Sequence, residues 1–261
     1  MLRFASSFTA HLHRFLGAWV ALTTWSVMAE ESYVATKTLP APEGNQAAAV
    51  EGKFVFAIGS AVIAKYDRAT GERLALSTGK AKHLNSGFFW EGKLYCAHSN
   101  YPEKPEKSEI MMLDPEAMVI SAYKNFGEYR GSLTWCVHEG ANWWCTFARY
   151  GKAENAGTSL VKFDNEWHEL GAWTYPPEVV QELGEYSISG GIWKDGELLV
   201  TGHDRKVIYR LHLPEKGTVL ERLATVPSPF PGQGIAVDPA TGGLVGIDRG
   251  KKSVVFAELK K

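Results

Sequence analysis

The chain has 261 residues, with 28 Lys and Arg against 29 Asp and Glu, so its formal net charge is −1. The two signs are interleaved, with no basic stripe or block that would neutralise a phosphate backbone, which excludes a nucleic-acid partner. Hydrophobic residues make up 45% and glycines number 26, a composition of core-forming segments separated by many turns, unlike that of a disordered or coiled-coil chain.

Residues 1–29 read as a secretory leader. Arg3 and Arg14 supply positive charge, an apolar run extends from Phe15 to Val27, and Val27-Met28-Ala29 offers a small-residue cleavage pattern. The apolar run is about 13 residues long, short of the roughly 20 needed to span a bilayer. Cleavage after Ala29 is expected, with a periplasmic or extracellular location and no stable membrane insertion afterwards. Residues 30–261 are expected to be a single β-propeller domain and a monomer, long enough for one substantial core.

The blade pattern starts at Glu51-Gly52 and recurs at Glu91-Gly92, Glu139-Gly140, Asp195-Gly196 and Gly242-Gly243. The first glycines of these pairs lie 40, 48, 56 and 46 residues apart, the period of a four-stranded propeller blade. Each pair is followed by a second strand of similar pattern: 53–57, 93–97, 142–146, 197–201 and 243–247. Three third strands end in Asp67, Asp114 and Asp164, a residue type whose side chain caps the turn it opens. Weaker fourth strands fall at 73–77, 119–123, 168–173 and 220–226. The fifth blade runs out at residue 259, one strand short, and the run 32–39 can supply its outer strand. The fold class is therefore all-β, a five-bladed β-propeller closed by an N-terminal strand, with residues near 35 and 257 paired.

The three cysteines leave at least one free thiol. Cys136 and Cys145 lie on the two arms of one hairpin, where a cross-strand disulfide is one reading. Cys96 and Cys145 occupy matching blade positions, which favours small buried packing residues.

In a propeller the inner strand starts and the second strand ends on one face. The long loops of this chain gather there, so function belongs on that face. Its strand tips carry His83, Asn85, His98, Asn100, Arg130, Ser132, Tyr150, Ser189, His203, Asp204, Gln233, Asp248 and Arg249. Each Ser or Asn of this set also has a structural reading as a backbone cap. His98 and His203 stand apart because each ends an apolar strand, whereas His138, His168 and His212 fall on the far face or outer strands and are expected to be inert.

Three chemistries suit these residue types. A lyase or isomerase acting on an acidic sugar needs a base near neutral pKa and a cation for the developing enolate, with His98 or His203, Tyr150 and Arg249 as the catalytic set. Asn85, Asn100, Arg130, Ser132, Ser189, Gln233 and Asp248 would then bind the ligand. A divalent metal is the candidate cofactor in the second chemistry, held by His83, His98, His203 and Asp204. Paired carboxylates for glycoside hydrolysis, chosen from Glu128, Glu185, Asp204 and Asp248, form the third and weakest set. The contrasting reading is a non-catalytic propeller that binds a carbohydrate or protein, with Trp90, Trp135, Trp173, Tyr175 or Phe230 as platforms. In every version the expected partner is a small polar molecule or carbohydrate, and the mouths differ enough between blades to suggest one asymmetric axial site.

The runs Ser189-Gly-Gly-Ile-Trp193, Leu198-Leu-Val-Thr-Gly-His-Asp204, Gly131-Ser-Leu-Thr-Trp135 and Gly232-Gln-Gly-Ile235 resemble secreted bacterial five-bladed propeller proteins, a resemblance that carries no activity with it. The chain is more loosely similar to the six-bladed lactonase and gluconolactonase group, whose axial metal is held by Glu, Asn and Asp. That similarity implies Asn100 and Asp204 as counterparts, although the blade count disagrees.

Overall fold

The computed structural model describes residues 31–261; the expected leader lies outside the described residues. The first strand, β1 (Ser32–Pro40), is followed by blade one, made of β2 (Ala47–Glu51), β3 (Phe54–Ile58), β4 (Ile63–Asp67) and β5 (Arg73–Leu76). Blade two holds β6 (His83–Trp90), β7 (Lys93–Ser99), β8 (Ser108–Asp114) and β9 (Val119–Gly127). Blade three holds β10 (Ser132–Glu139), β11 (Asn142–Ala148), β12 (Ser159–Phe163) and β13 (Glu169–Thr174). A short helix, α1 (Pro177–Leu183), precedes blade four, which is built from β14 (Gly190–Lys194), β15 (Glu197–Thr201), β16 (Val207–His212) and β17 (Glu221–Pro227). Blade five is assembled from both ends of the domain. Its order is β1, β20 (Ser253–Lys260), β19 (Leu244–Asp248), β18 (Ala236–Val237), with Ala35 opposite Ala257.

All five sheets are antiparallel and four-stranded, so the expected five-bladed ring with an N-terminal closing strand is what forms. Second strands bury almost every residue, as in β3 and β15. Outer strands such as β5 and β9 are exposed at most positions, the pattern of a sheet covered on its inner part only. The hairpins at Glu91-Gly92 and Asp195-Gly196 take positive φ at both central residues (49° and 72°, 53° and 82°). That is the geometry whose twist matches the flanking strands, and glycine makes the second position possible.

Asp67, Asp114 and Asp164 do cap turns: each accepts two backbone N–H groups two to four residues on, at 2.8 to 3.1 Å. Asp238 caps the β18–β19 turn by accepting from Ala240 N at 3.2 Å and also binds Arg68 of blade one through both carboxylate oxygens, at 2.6 and 2.7 Å. The seam between blades two and three is held by Ser108, whose Oγ donates to Gly131 O and accepts from Leu133 N.

The three cysteines are free and buried. Cys136 and Cys145 are direct cross-strand partners but carry no disulfide. Burial pushes all three thiols up, so they behave as packing residues. No helix among the described residues is long and apolar enough to cross a membrane.

Candidate functional site

The loops between blades and those joining second to third strands meet at one end of the axis and leave a small cup there. Gln46, His83, Asn85, Tyr101, Thr134, Tyr150, Tyr186, Ser187, Ser189, His203, Gln233 and Arg249 line it. Its volume is about 80 Å³, room for about two or three water-sized groups at ~30 Å³ each. Only the end of a ligand fits inside. The inner strands close the axis beneath the cup: a Cβ on Gly234 would stand 2.6 Å from Ala47 Cβ and 2.9 Å from Ser86 Cα, and one on Gly190 would stand 2.8 Å from Gly234 Cα. Backbones of four blades approach that closely because glycine occupies these two positions.

His203 is the most elaborated side chain at the rim. Its Nδ1 lies 2.8 Å from Asp204 Oδ2, and Tyr186 stacks flat on the ring, with centroids 3.9 Å apart and planes 7° apart. Arg249 Nη1 lies 3.4 Å from Nε2, while Nη2 donates to His203 O at 3.2 Å and to Asp204 Oδ1 at 2.9 Å. Because arginine only donates and the carboxylate only accepts, the neutral ring must carry its proton on Nδ1 and present a lone pair on Nε2. Asp204 stands behind the ring as its orienting group and does not line the cup. Gln233, with a φ of +70°, braces this corner by donating from its backbone N to Gly202 O and from Nε2 to His203 O. Tyr186 is carried by the loop after α1, which Asn155 holds by donating to Gly184 O at 2.8 Å and Tyr186 O at 3.2 Å.

The opposite rim is aromatic. Tyr101 lies 5.1 Å from His83 and 5.3 Å from Tyr150, centroid to centroid. Burial first, then the charge of His98, holds the His83 imidazole below its ordinary pKa. Burial, with Tyr101 and Glu106 adding to it, raises the Tyr150 phenol, so that hydroxyl stays protonated at neutral pH.

The floor has a distinct bias. Asn85 donates its Nδ2 to Leu133 O at 2.8 Å, Gln46 its Nε2 to Ser60 Oγ at 3.0 Å, and Gln233 its Nε2 to His203 O. Each amide is thereby oriented with its N–H₂ on the protein and, among the described residues, its carbonyl oxygen free. Thr134 Oγ1 is buried without a partner among the described residues. Three acceptors and a hydroxyl favour a ligand that brings hydrogen-bond donors.

The structure brings His83, Asn85, Tyr150, Ser189, His203, Gln233 and Arg249 to the cup and leaves the other expected residues elsewhere. His98 turns into the wall, where its Nε2 accepts from Lys82 N at 2.9 Å. Burial and the Lys82 charge push its pKa down to about 4. Glu109 lies 3.4 Å from its Nδ1 but out of line for a hydrogen bond, so with a neutral ring there is no ion pair. Asn100 donates to Pro105 O and accepts from Lys107 N, pinning its own loop. Arg130 is held at the outer strand by Glu169 and the Tyr129 hydroxyl. Asp248 caps the β19–β20 turn through Lys251 N, and Ser132 is buried at the blade seam. The four expected metal ligands therefore do not converge, and no group of three or more His, Cys, Asp or Glu suited to a metal occurs among the described residues. Glu128, Glu185 and Asp248 do not line the cup, so the carboxylate pair of a glycosidase is not assembled. Trp135, Tyr175 and Phe230 are fully buried, which removes them as sugar platforms.

The fold and the cup define a five-bladed propeller with one asymmetric polar axial site. The crystal structure of Myxococcus xanthus glutaminyl cyclase has this fold: it matches with a TM-score of 0.63 at 9% identity, covering 88% of this chain and 97% of that one. Chains in the mitotic checkpoint complex (TM-score 0.48, 9% identity, 97% and 99% covered) and the RRP9 WD40 repeats (0.45, 10%, 82% and 79%) are similar at a lower level. No family model matches the sequence, and no curated protein matches it either.

Proposed function

We propose that this protein is an exported propeller whose axial cup seats the polar end of a small hydroxyl-bearing acid, a carbohydrate acid being the class that fits, and moves a proton on it through His203. The observation that carries the reading is the His203–Asp204 pair at 2.8 Å, with Nε2 beside Arg249 at the cup. A ligand's hydroxyls would donate to the free carbonyl oxygens of Asn85, Gln46 and Gln233. Its carboxylate would draw the Arg249 guanidinium away from Asp204.

In that arrangement Nε2 takes the proton from the carbon beside the carboxylate and becomes an imidazolium, which Asp204 steadies. The bonding pair left on the carbon spreads into the carboxylate, where Arg249 opposes the developing charge. The Tyr150 phenol, kept protonated by burial, then gives its proton to a leaving oxygen in an elimination. Where no group leaves, His203 returns the proton to the same carbon and the acid is regenerated, which in D₂O places deuterium on that carbon. Positioned proton transfer of this kind contributes typically 10²–10⁴-fold.

The test is hydrogen–deuterium exchange at the carbon beside the carboxylate, followed by proton NMR in D₂O, with uronic and aldonic acids and residues 30–261. Exchange by the native protein and its loss by at least about 10²-fold in His203→Ala supports the reading; exchange unaffected by His203→Ala overturns it. Glutaminyl cyclase activity, that of the fold neighbour, belongs in the same screen. A non-catalytic binding propeller is the second reading, favoured by Arg249, which already engages both His203 Nε2 and Asp204 Oδ1. Saturable binding without exchange would establish it.

A further inference from the structure

The other end of the axis has the opposite chemistry. There the inner strands finish on Val50, Phe88, Phe89, Val137, Ile192, Trp193 and Ala236 around a mostly apolar cup of about 240 Å³, with the His138 imidazole, which meets Asn165 Oδ1 at 2.9 Å, at its edge. Every blade contributes to it, and close packing of the inner strands at Gly190 and Gly234 separates it from the polar cup. Glu51 and Glu139 stand on its rim. Both are exposed, and neither forms an ion pair among the described residues, whereas Lys93 and Lys194, on the corresponding hairpins of blades two and four, are engaged by Asp114 and Asp195. Glu51 and Glu139 also belong to the acidic-glycine motif that repeats along the sequence, and of its four acidic residues these two line the mouth.

We propose that this second cup is a binding site for a small hydrophobic cation, an aryl- or alkylammonium. The apolar body of such a ligand fills the space between Phe88, Phe89, Ile192 and Trp193. Its ammonium lies at the rim between Glu51 and Glu139 and over the electron-rich faces of the aromatic rings. Charge complementarity chooses the occupant: a neutral apolar ligand would gain burial but leave both carboxylates unanswered, and an anion would be repelled. The site is independent of the proton-transfer chemistry proposed for the polar cup.

The experiment titrates residues 30–261 with phenethylammonium chloride while the indole N–H resonance of Trp193 is followed by NMR, that resonance being assigned with Trp193→Phe. The expected result is a saturable shift of Trp193 with phenethylammonium, about tenfold weaker binding of the neutral 2-phenylethanol, and a similar loss in the Glu51→Gln, Glu139→Gln double variant and on raising salt. Both glutamates are at exposed strand ends, so the variant should fold; an unchanged far-ultraviolet spectrum checks this, and each single variant serves if it does not. Equal affinity for the alcohol and the ammonium, native-like binding by the glutamine variants, or no shift of Trp193 at any soluble ligand concentration would overturn the proposal.

Discussion

Replacing Asp238 with Ala tests whether the ring is clamped where its two ends meet. The Asp238 side chain is 2% exposed and binds the Arg68 guanidinium in parallel at 2.6 and 2.7 Å. It also accepts from Ala240 N at 3.2 Å and Thr241 Oγ1 at 3.1 Å. Breaking a buried pair by removing one partner costs about 3–5 kcal/mol, chiefly because the other charge stays buried. Arg68 retains 21% exposure and rests on the Phe256 ring, so water can reach it in the variant and the cost falls near the lower end, about 3 kcal/mol. For a domain of this size each kcal/mol moves Tm by about 2–4 °C, so Asp238→Ala should lower Tm by about 6–12 °C in a calorimetric scan.

The pH dependence gives a second handle on the same pair. Burial alone would raise the Asp238 pKa, but hydrogen bonds from Arg68, the Ala240 N–H and Thr241, with the Arg68 charge, hold it below the ordinary value. A carboxyl depressed in the folded state contributes stability that is present above the unfolded value, near 3.9, and lost as pH falls through the folded one. Tm of the native protein should therefore fall more steeply below about pH 4 than that of Asp238→Asn. Arg68→Met in a double-mutant cycle isolates the coupling. A Tm change under about 2 °C, or costs of the two single variants that simply add, would refute the clamp.

Other outcomes follow from the same packing. Gly234→Ala forces a Cβ to within 2.6 Å of Ala47 Cβ and 2.9 Å of Ser86 Cα. An overpacked core of this kind loses about 1–3 kcal/mol, read as a lower urea midpoint with an unchanged slope. Ellman's reagent should find no reactive thiol in the folded protein and three per chain after unfolding; a single thiol on unfolding would mean that two of the three cysteines are bridged. The His98 ring, with its pKa pushed down to about 4, should show no protonation step by NMR above about pH 5. Since it faces the wall, His98→Gln should leave ligand binding at the cup unchanged.

Blade period, strand order and ring closure were readable in the chain because they are repeated local facts. Each blade needs the same tight hairpin, so Glu51-Gly52 and its counterparts recur, and each third strand ends in a residue that caps its own turn. The helix α1 carries no such repeat: it fills the 173–189 connection, burying Val179, Val180 and Leu183 under a loop whose only sequence signal is Pro176-Pro177. For the cup, the sequence reading placed several of its lining residues at this face, yet three physical effects limited the rest. Asn100, Arg130 and Asp248 are of the right type at the right strand tips, but a nearer partner uses their polar atoms. Tyr101 sits in a charged connection whose path depends on Asn100 binding across it. Thr134 reaches the cup because the pairing of β10 with β11 slips between Leu133 and Trp135, and Asn85 and Ser86 sit in a similar slip between Leu84 and Gly87.

Those slips explain why Thr134 was the hardest residue to anticipate. Strict alternation assigns one face to every second residue, and one extra residue in a strand reverses the assignment downstream. In β10 alternation from Ser132 would treat Thr134 as its equivalent, yet Ser132 is buried at the blade seam while Thr134 lines the cup. The residue types that build a binding site are also those that cap turns and seal seams. A missing partner alone does not separate the two uses, since Ser132 Oγ at the seam and Thr134 Oγ1 at the cup both lack one among the described residues; what separates them is where tertiary contacts between blades put the atom, contacts such as that of Asn85 with Leu133, 48 residues away.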